Sequence, residues 1–153
     1  MRADFVNPFL QAASEVLLSE IGEDPARGPI HLDPSDSTGH EVTVLIGVTG
    51  EVTGIVLLGF AETTARTLAG RILGRPFETF DKLAESGMGE LANVIVGRAT
   101  TLLAEAGYTS NVTPPTLIMG SGTRLSTLTY QRLVIPLQTS LGNFKIEIAL
   151  KLK

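Results

Sequence analysis

The sequence predicts an α+β domain, an antiparallel β-sheet with one face covered by two or three helices. Three observations carry that prediction. The final segment, 144–152, alternates, with Phe144, Ile146, Ile148, Leu150 and Leu152 on one side and Lys145, Glu147, Lys151 and Lys153 on the other. Two apolar runs, 42–48 and 52–60, flank Thr49-Gly50 in the manner of a hairpin. The longest run of helical spacing extends from 81 to 106 and stops at Gly107.

The remaining elements follow in order. Residues 4–22 carry apolar side chains at 5, 6, 9, 10, 13, 16, 17 and 21, a helical stripe ended by Gly22. Asn7-Pro8 fits a first helical turn, where the missing N–H of proline costs nothing. Residues 23–39 are polar and rich in Pro, Gly and Asp, a surface loop or ragged strand. After the hairpin, 61–73 is a helix with Ala65, Leu68, Ala69 and Ile72 on one face, stopped by Gly74 and Pro76. Beyond the long helix, 117–120 and 125–130 are weak strand candidates. Residues 132–139 make a firmer strand, in which Pro136 implies an edge or a bulge. Residues 140–143 join it to the last strand.

Length and composition narrow the function. At 153 residues the chain is one domain, 1–153, with enough surface to bury a core. Its 12 Lys+Arg against 16 Asp+Glu leave a net charge of −4 and no basic stripe, which argues against nucleic acid as a partner. With no cysteine there is no disulfide scaffold, thiolate metal site or Cys nucleophile. The opening residues lack a signal pattern, and the longest apolar stretch, 55–61, is far short of a membrane span. The expected setting is the cytoplasm, without membrane contact.

The long helix carries the candidate chemistry. On a helical wheel, Ala84, Met88, Leu91, Ala92, Ile95, Val96, Ala99, Leu102 and Leu103 occupy an arc of roughly 140°, the predicted core face. Opposite lie Ser86, Glu90, Asn93, Gly97, Thr100 and Ala104. Glu90 and Asn93, three residues apart, stand about 60° apart on that stripe. Gly87, Gly89 and Gly97 each cost roughly 1 kcal/mol of helix propensity relative to Ala, which predicts close approach by other atoms. A polar pair raised above small residues suits docking into a partner's cleft; an ordinary solvated helix face gives the same pattern.

The run Ser86-Gly-Met-Gly-Glu90-Leu-Ala-Asn93-Val-Ile-Val-Gly97-Arg98 resembles the signature of the CheX/CheC/FliY phosphatases of bacterial chemotaxis. In that signature an Asp or Ser precedes Glu-x-x-Asn and a Gly follows. Phe5-Val6-Asn7-Pro8-Phe9 is similar to the start of CheX-type chains, and the element order also fits. Of all the glutamates only Glu90 has Asn three residues on, and a single site per chain points to the CheX branch, whereas CheC-type chains carry two. Ser86 stands where close CheX relatives tend to have Asp.

The resemblance implies a CheC/CheX-like fold and hydrolysis of the aspartyl phosphate on a CheY-like response regulator. It implies that Asn93 orients the attacking water, that Glu90 contacts the regulator's Lys, and that Ser86, Gly97 and Thr100 flank the docking surface. No cofactor is expected on this chain; the Mg²⁺ belongs to the regulator. A homodimer is expected. The alternative is a non-catalytic adaptor that binds a receiver domain.

Lesser signals do not reach that level. His31, His40, Asp33 and Asp36 lie together in a polar loop, where nothing fixes a metal geometry. Gly120-Ser-Gly-Thr123 lacks the ending of a phosphate loop and is expected to be a turn. Asn111-Val-Thr113 is a formal glycosylation sequon without a secretory context.

Overall fold

The computed structural model describes residues 3–35, 37–125 and 131–153. Three helices, α1 (Ala3–Ile21), α2 (Glu62–Leu73) and α3 (Lys82–Glu105), pack on an eight-stranded antiparallel sheet. Its long strands are β3 (Val42–Gly50), β4 (Val52–Phe60), β7 (Arg132–Thr139) and β8 (Gly142–Leu152). Short strands β1 (Ala26–Arg27) and β2 (His31–Asp33) pair with β7, while β5 (Ser110–Val112) and β6 (Thr116–Met119) pair with β3. The order across the sheet is therefore β7–β8–β4–β3, with each outer strand flanked by two short ones.

The alternation of the strands decides which face the helices take. Val42, Val44, Ile46 and Val48 of β3, Val56, Leu58 and Phe60 of β4, and Phe144, Ile146, Ile148 and Leu150 of β8 share one face. They form one core with Phe5, Phe9, Leu17, Leu68, Met88, Ile95 and Leu103 of the helices. Phe60 and Phe144, cross-strand partners, stack with centroids 4.9 Å apart.

Pro136 sits where its chemistry permits. β1 pairs with Leu137 and Gln138, and β2 with residues 132–134, so the gap between these short strands falls opposite Pro136. Its carbonyl accepts from Gly28 N–H in that gap at 3.0 Å, so the ladder is not asked for a proline donor.

Several expectations are corrected. Pro8 stands in the second turn of α1, which begins at Ala3, so the Asp4 carbonyl has no N–H four residues on. The polar stretch 23–39 takes the ragged-strand form, as the two short edge strands, whereas 110–112 forms a strand that the sequence pattern does not predict. Leu125 is not in a strand, and the rest of the candidate 125–130 lies outside the described residues, as does Asp36. Leu152 is exposed. Glu147, expected in solvent, is only 4% exposed and Arg132 beside it 1%.

That burial has a clear cause. Segments preceding β3 and following β6 cross the sheet face away from the helices, burying Thr38, Thr43, Leu57, Leu125, Arg132 and Glu147. Arg132 Nη2 donates to Asp33 Oδ2 and to the Ser37 carbonyl, both at 3.0 Å. Its Nε stands 3.6 Å from Glu147 Oε1, an ion pair too long for a hydrogen bond. Burial raises the Glu147 pKa, and the neighbouring Arg132 only partly offsets it.

Candidate functional site

Helix α3 positions the candidate residues. Asp81 caps its start, its carboxylate accepting from Ala84 N–H at 2.9 Å, so the glycines at 87 and 89 fall in the second turn of an anchored helix. Arg98 ties it to α1 through Glu15 at 2.7 Å. Hydrogen bonding to Arg98 and Gln11 holds the Glu15 carboxyl below the usual range.

Of the three helical glycines only Gly87 is tightly packed, while Gly89 has room for a methyl in ordinary contact. A Cβ at Gly87 would stand 3.1 Å from Leu73 Cδ1 of α2, and one at Gly89 would meet Leu117 and Pro115 at 3.6 Å. Gly97 differs, since a Cβ there would meet nothing within 4 Å. The absent side chain at 97 faces open space.

Glu90 is exposed and Asn93 half-buried, one turn apart on the side of α3 turned from the core. On the wheel Asn93 lies about 40° from Gly89, the residue against 115–117, whereas Glu90 lies about 100° from it. Asn93 is thus recessed beside the 115–117 segment, and Glu90 projects. Neither side chain hydrogen-bonds to another described residue, so both keep their full donor and acceptor capacity.

Ser86 is exposed one turn before Glu90, and Gly97 is half-exposed one turn beyond Asn93. Thr100 does not join them. It is only 9% exposed, and its Oγ1 donates back to the Gly97 carbonyl at 2.8 Å. Thr100 lies on the side of α3 that packs against β5 and β6, about 20° on the wheel from Gly89.

The outward stripe also contains residues that the sequence reading passed over. Leu83 is 47% exposed and Val94 38%, and both flank Glu90. Thr101 is exposed and bonds the Gly97 carbonyl at 3.1 Å. The signal of Leu83 and Val94 in the sequence is an apolar residue at a wheel position outside the core arc.

Comparison with known proteins addresses what this stripe belongs to. The family model for the chemotaxis phosphatase CheX matches residues 42–138, well over half of the chain and all of α3. The chain belongs to the CheX family. The CheY-P phosphatase CheX of Thermotoga maritima is 28% identical over 121 residues, 78% of each chain. A CheC-like superfamily protein from Shewanella sp. PV-4 superposes with a TM-score of 0.87 at 27% identity, over 99% of both chains. The CheX of a CheX–CheY–BeF3–Mg²⁺ complex from Borrelia burgdorferi gives 0.82 at 26% identity, over 98% of this chain and 99% of that one.

CheX membership accords with the antiparallel sheet and its single helical layer. Among the described residues no group of three His, Asp or Glu side chains is placed to hold a metal, and no helix is long and apolar enough to cross a membrane. His31 and Asp33 lie on β2, and His40 is turned onto Gly59. Gly120 and Gly122 adopt positive φ, +91° and +84°, as the expected turn at 120–123 requires.

Proposed function

We propose that this chain hydrolyses the aspartyl phosphate of a CheY-like response regulator, contributing Glu90 and Asn93 to a composite site. The observation that carries the proposal is their pairing on α3, one exposed and one recessed, each free of side-chain partners among the described residues. The CheY-P phosphatase CheX of Thermotoga maritima and the CheX–CheY complex of Borrelia burgdorferi support the choice of partner.

The chemistry follows from the two groups. A carboxamide is no useful base, but it offers one acceptor and two donors. Asn93 holds a water in line with the phosphorus, where positioning and charge stabilisation govern the rate. Water oxygen bonds to phosphorus as the bond to the aspartyl oxygen breaks, giving inorganic phosphate and the free carboxylate. Glu90 pairs with a Lys of the regulator and fixes the depth of insertion. Mg²⁺ sits on the regulator, and this chain holds no cofactor.

Docking uses the outward stripe. Ser86 lies at its start, Gly97 lets the regulator's backbone come close, and Leu83 and Val94 supply apolar area that binding covers. The protein acts in the cytoplasm as a homodimer. The outer edges of β2 and β6, with exposed Leu32 and Met119, leave strand pairing open to a second copy.

The test is the rate of phosphoryl loss from a CheY-like receiver with wild type, N93A and E90A. Asn93→Ala should lower kcat by about 100-fold or more with KM little changed. Glu90→Ala should raise KM and lower kcat together. A fully active Asn93→Ala overturns the mechanism, and receiver binding without acceleration by the wild type converts the protein to an adaptor.

A further inference from the structure

The sheet face away from the helices carries a cavity of about 310 Å³ lined by His40, Gly59, Ala61, Pro136, Leu137, Gln138, Asn143, Phe144 and Lys145. Strand register assembles it. Pro136, Lys145 and Gly59 lie side by side across β7, β8 and β4, and Gln138 pairs with Asn143 one step along. These residues alternate with Leu137, Phe144 and Ile146, which point into the helical core, so their own side chains emerge on the opposite face.

The polar lining offers hydrogen-bond donors and one cation. Lys145 brings an ammonium, Gln138 and Asn143 bring amide donors, and His40 brings a ring nitrogen. No carboxylate lines the cavity among the described residues, and Lys145 ion-pairs with none of them. Glu147 is buried behind the cavity, with its Oε2 at 3.9 Å from His40 Nε2.

His40 is held in place by a missing side chain. Its ring fills the space beside Gly59 where a side chain would stand, and a Cβ there would overlap ring atom Cδ2. Burial first, then the charges of Lys145 and Arg132, lower the His40 pKa, with Asp33 pulling the other way. An anion between Lys145 and His40 would cancel much of that cationic field.

From this juxtaposition we propose that the cavity is a binding site for a small oxyanion, a carboxylate or phosphate group, held by Lys145 and His40 with the amides of Gln138 and Asn143. Its apolar wall of Ala61 and Pro136 accommodates a compact organic body behind the charged head. The site lies on the other side of the sheet from Glu90 and Asn93 and does not depend on their role.

Linkage gives a direct test. The groups facing His40 are Lys145 of β8, Glu147 of β8, Arg132 of β7 and Asp33 of β2, and an added anion changes only the balance among them. The His40 ring is titrated by NMR in chloride, in inorganic phosphate and in acetate, at constant ionic strength. A bound anion raises the His40 pKa, and a rise of about one unit corresponds to tenfold tighter binding to the protonated ring. His31, exposed on β2, reports general salt effects in the same spectra. Lys145→Gln should raise the His40 baseline, because the Lys145 charge lowers it, and should abolish the further rise on adding anion, whereas Glu90→Ala/Asn93→Ala should keep that rise. Equal movement of His31 and His40, a rise that survives Lys145→Gln, or no rise in either anion overturns the proposal.

Discussion

Leu73 of α2 occupies the volume that a side chain at Gly87 of α3 would need, its Cδ1 3.1 Å from the position of a Cβ. A methyl at Gly87, one turn before Glu90, would need Leu73 to give by a few tenths of an ångström. Leu73 is itself partly exposed, so its end can swing aside. Gly87→Ala should gain up to about 1 kcal/mol from helix propensity. Gly87→Leu cannot be accommodated that way and should lose about 1–3 kcal/mol. Urea melts of the two variants check the opposite signs.

Gly97 should separate stability from docking. With nothing within 4 Å of a Cβ, Gly97→Ala meets no steric objection in the free protein and gains about 1 kcal/mol, or roughly 2–4 °C in Tm. If the regulator's backbone approaches Gly97, the same methyl raises KM for the phosphorylated receiver. A higher Tm with unchanged KM would remove Gly97 from the docking surface.

Thr100 gives the complementary case. Its hydroxyl serves the Gly97 carbonyl, which also accepts from Thr101, so Thr100→Val should change stability by no more than about 1 kcal/mol. Because the side chain is buried, receiver KM should stay at the wild-type value. A docking defect in Thr100→Val would mean that α3 shifts on binding.

The sheet face behind the helices supplies a pH dependence. His40 has its folded pKa below the usual value, so the unfolded chain takes the proton first. Its contribution is full above about pH 6.5 and is lost as pH falls from there through the folded pKa, by at most about 1.4 kcal/mol per unit. Glu147, raised in the folded state, works in the opposite sense and favours the fold as it gains a proton. Denaturation from about pH 7.5 to 5.5 should show this slope in the wild type and not in His40→Gln. Gly59→Ala, which forces the ring out, should cost about 1–3 kcal/mol and return His40 toward its ordinary pKa.

The helices and the four long strands were legible because each runs through several periods of its pattern. Strands β1, β2 and β5 span only two or three residues, less than any alternation needs to declare itself. Glu90 and Asn93 were legible as a pair because one helix holds both and no tertiary contact intervenes. Thr100 was misplaced because the helix alone does not encode the flank covered by a segment further along the chain. Glu147 failed for a similar reason. Its phase along β8 was right, but the solvent assigned to that face is displaced by segments more than 20 residues distant in sequence. The outward apolar residues Leu83 and Val94 were visible as letters, yet only burial distinguishes them from core.

All three helices lie on one side, which makes the β-sheet a partition. Glu90 and Asn93 stand on the outer surface of the helical layer, while His40 and Glu147, whose pKa values the fold shifts, lie behind the strands. Perturbations separated by such a wall share no neighbours, so Glu90→Ala and Lys145→Gln should add in the double variant to within about 0.5 kcal/mol. One side can then be altered for partner choice and the other for solution conditions, without either adjustment disturbing its counterpart.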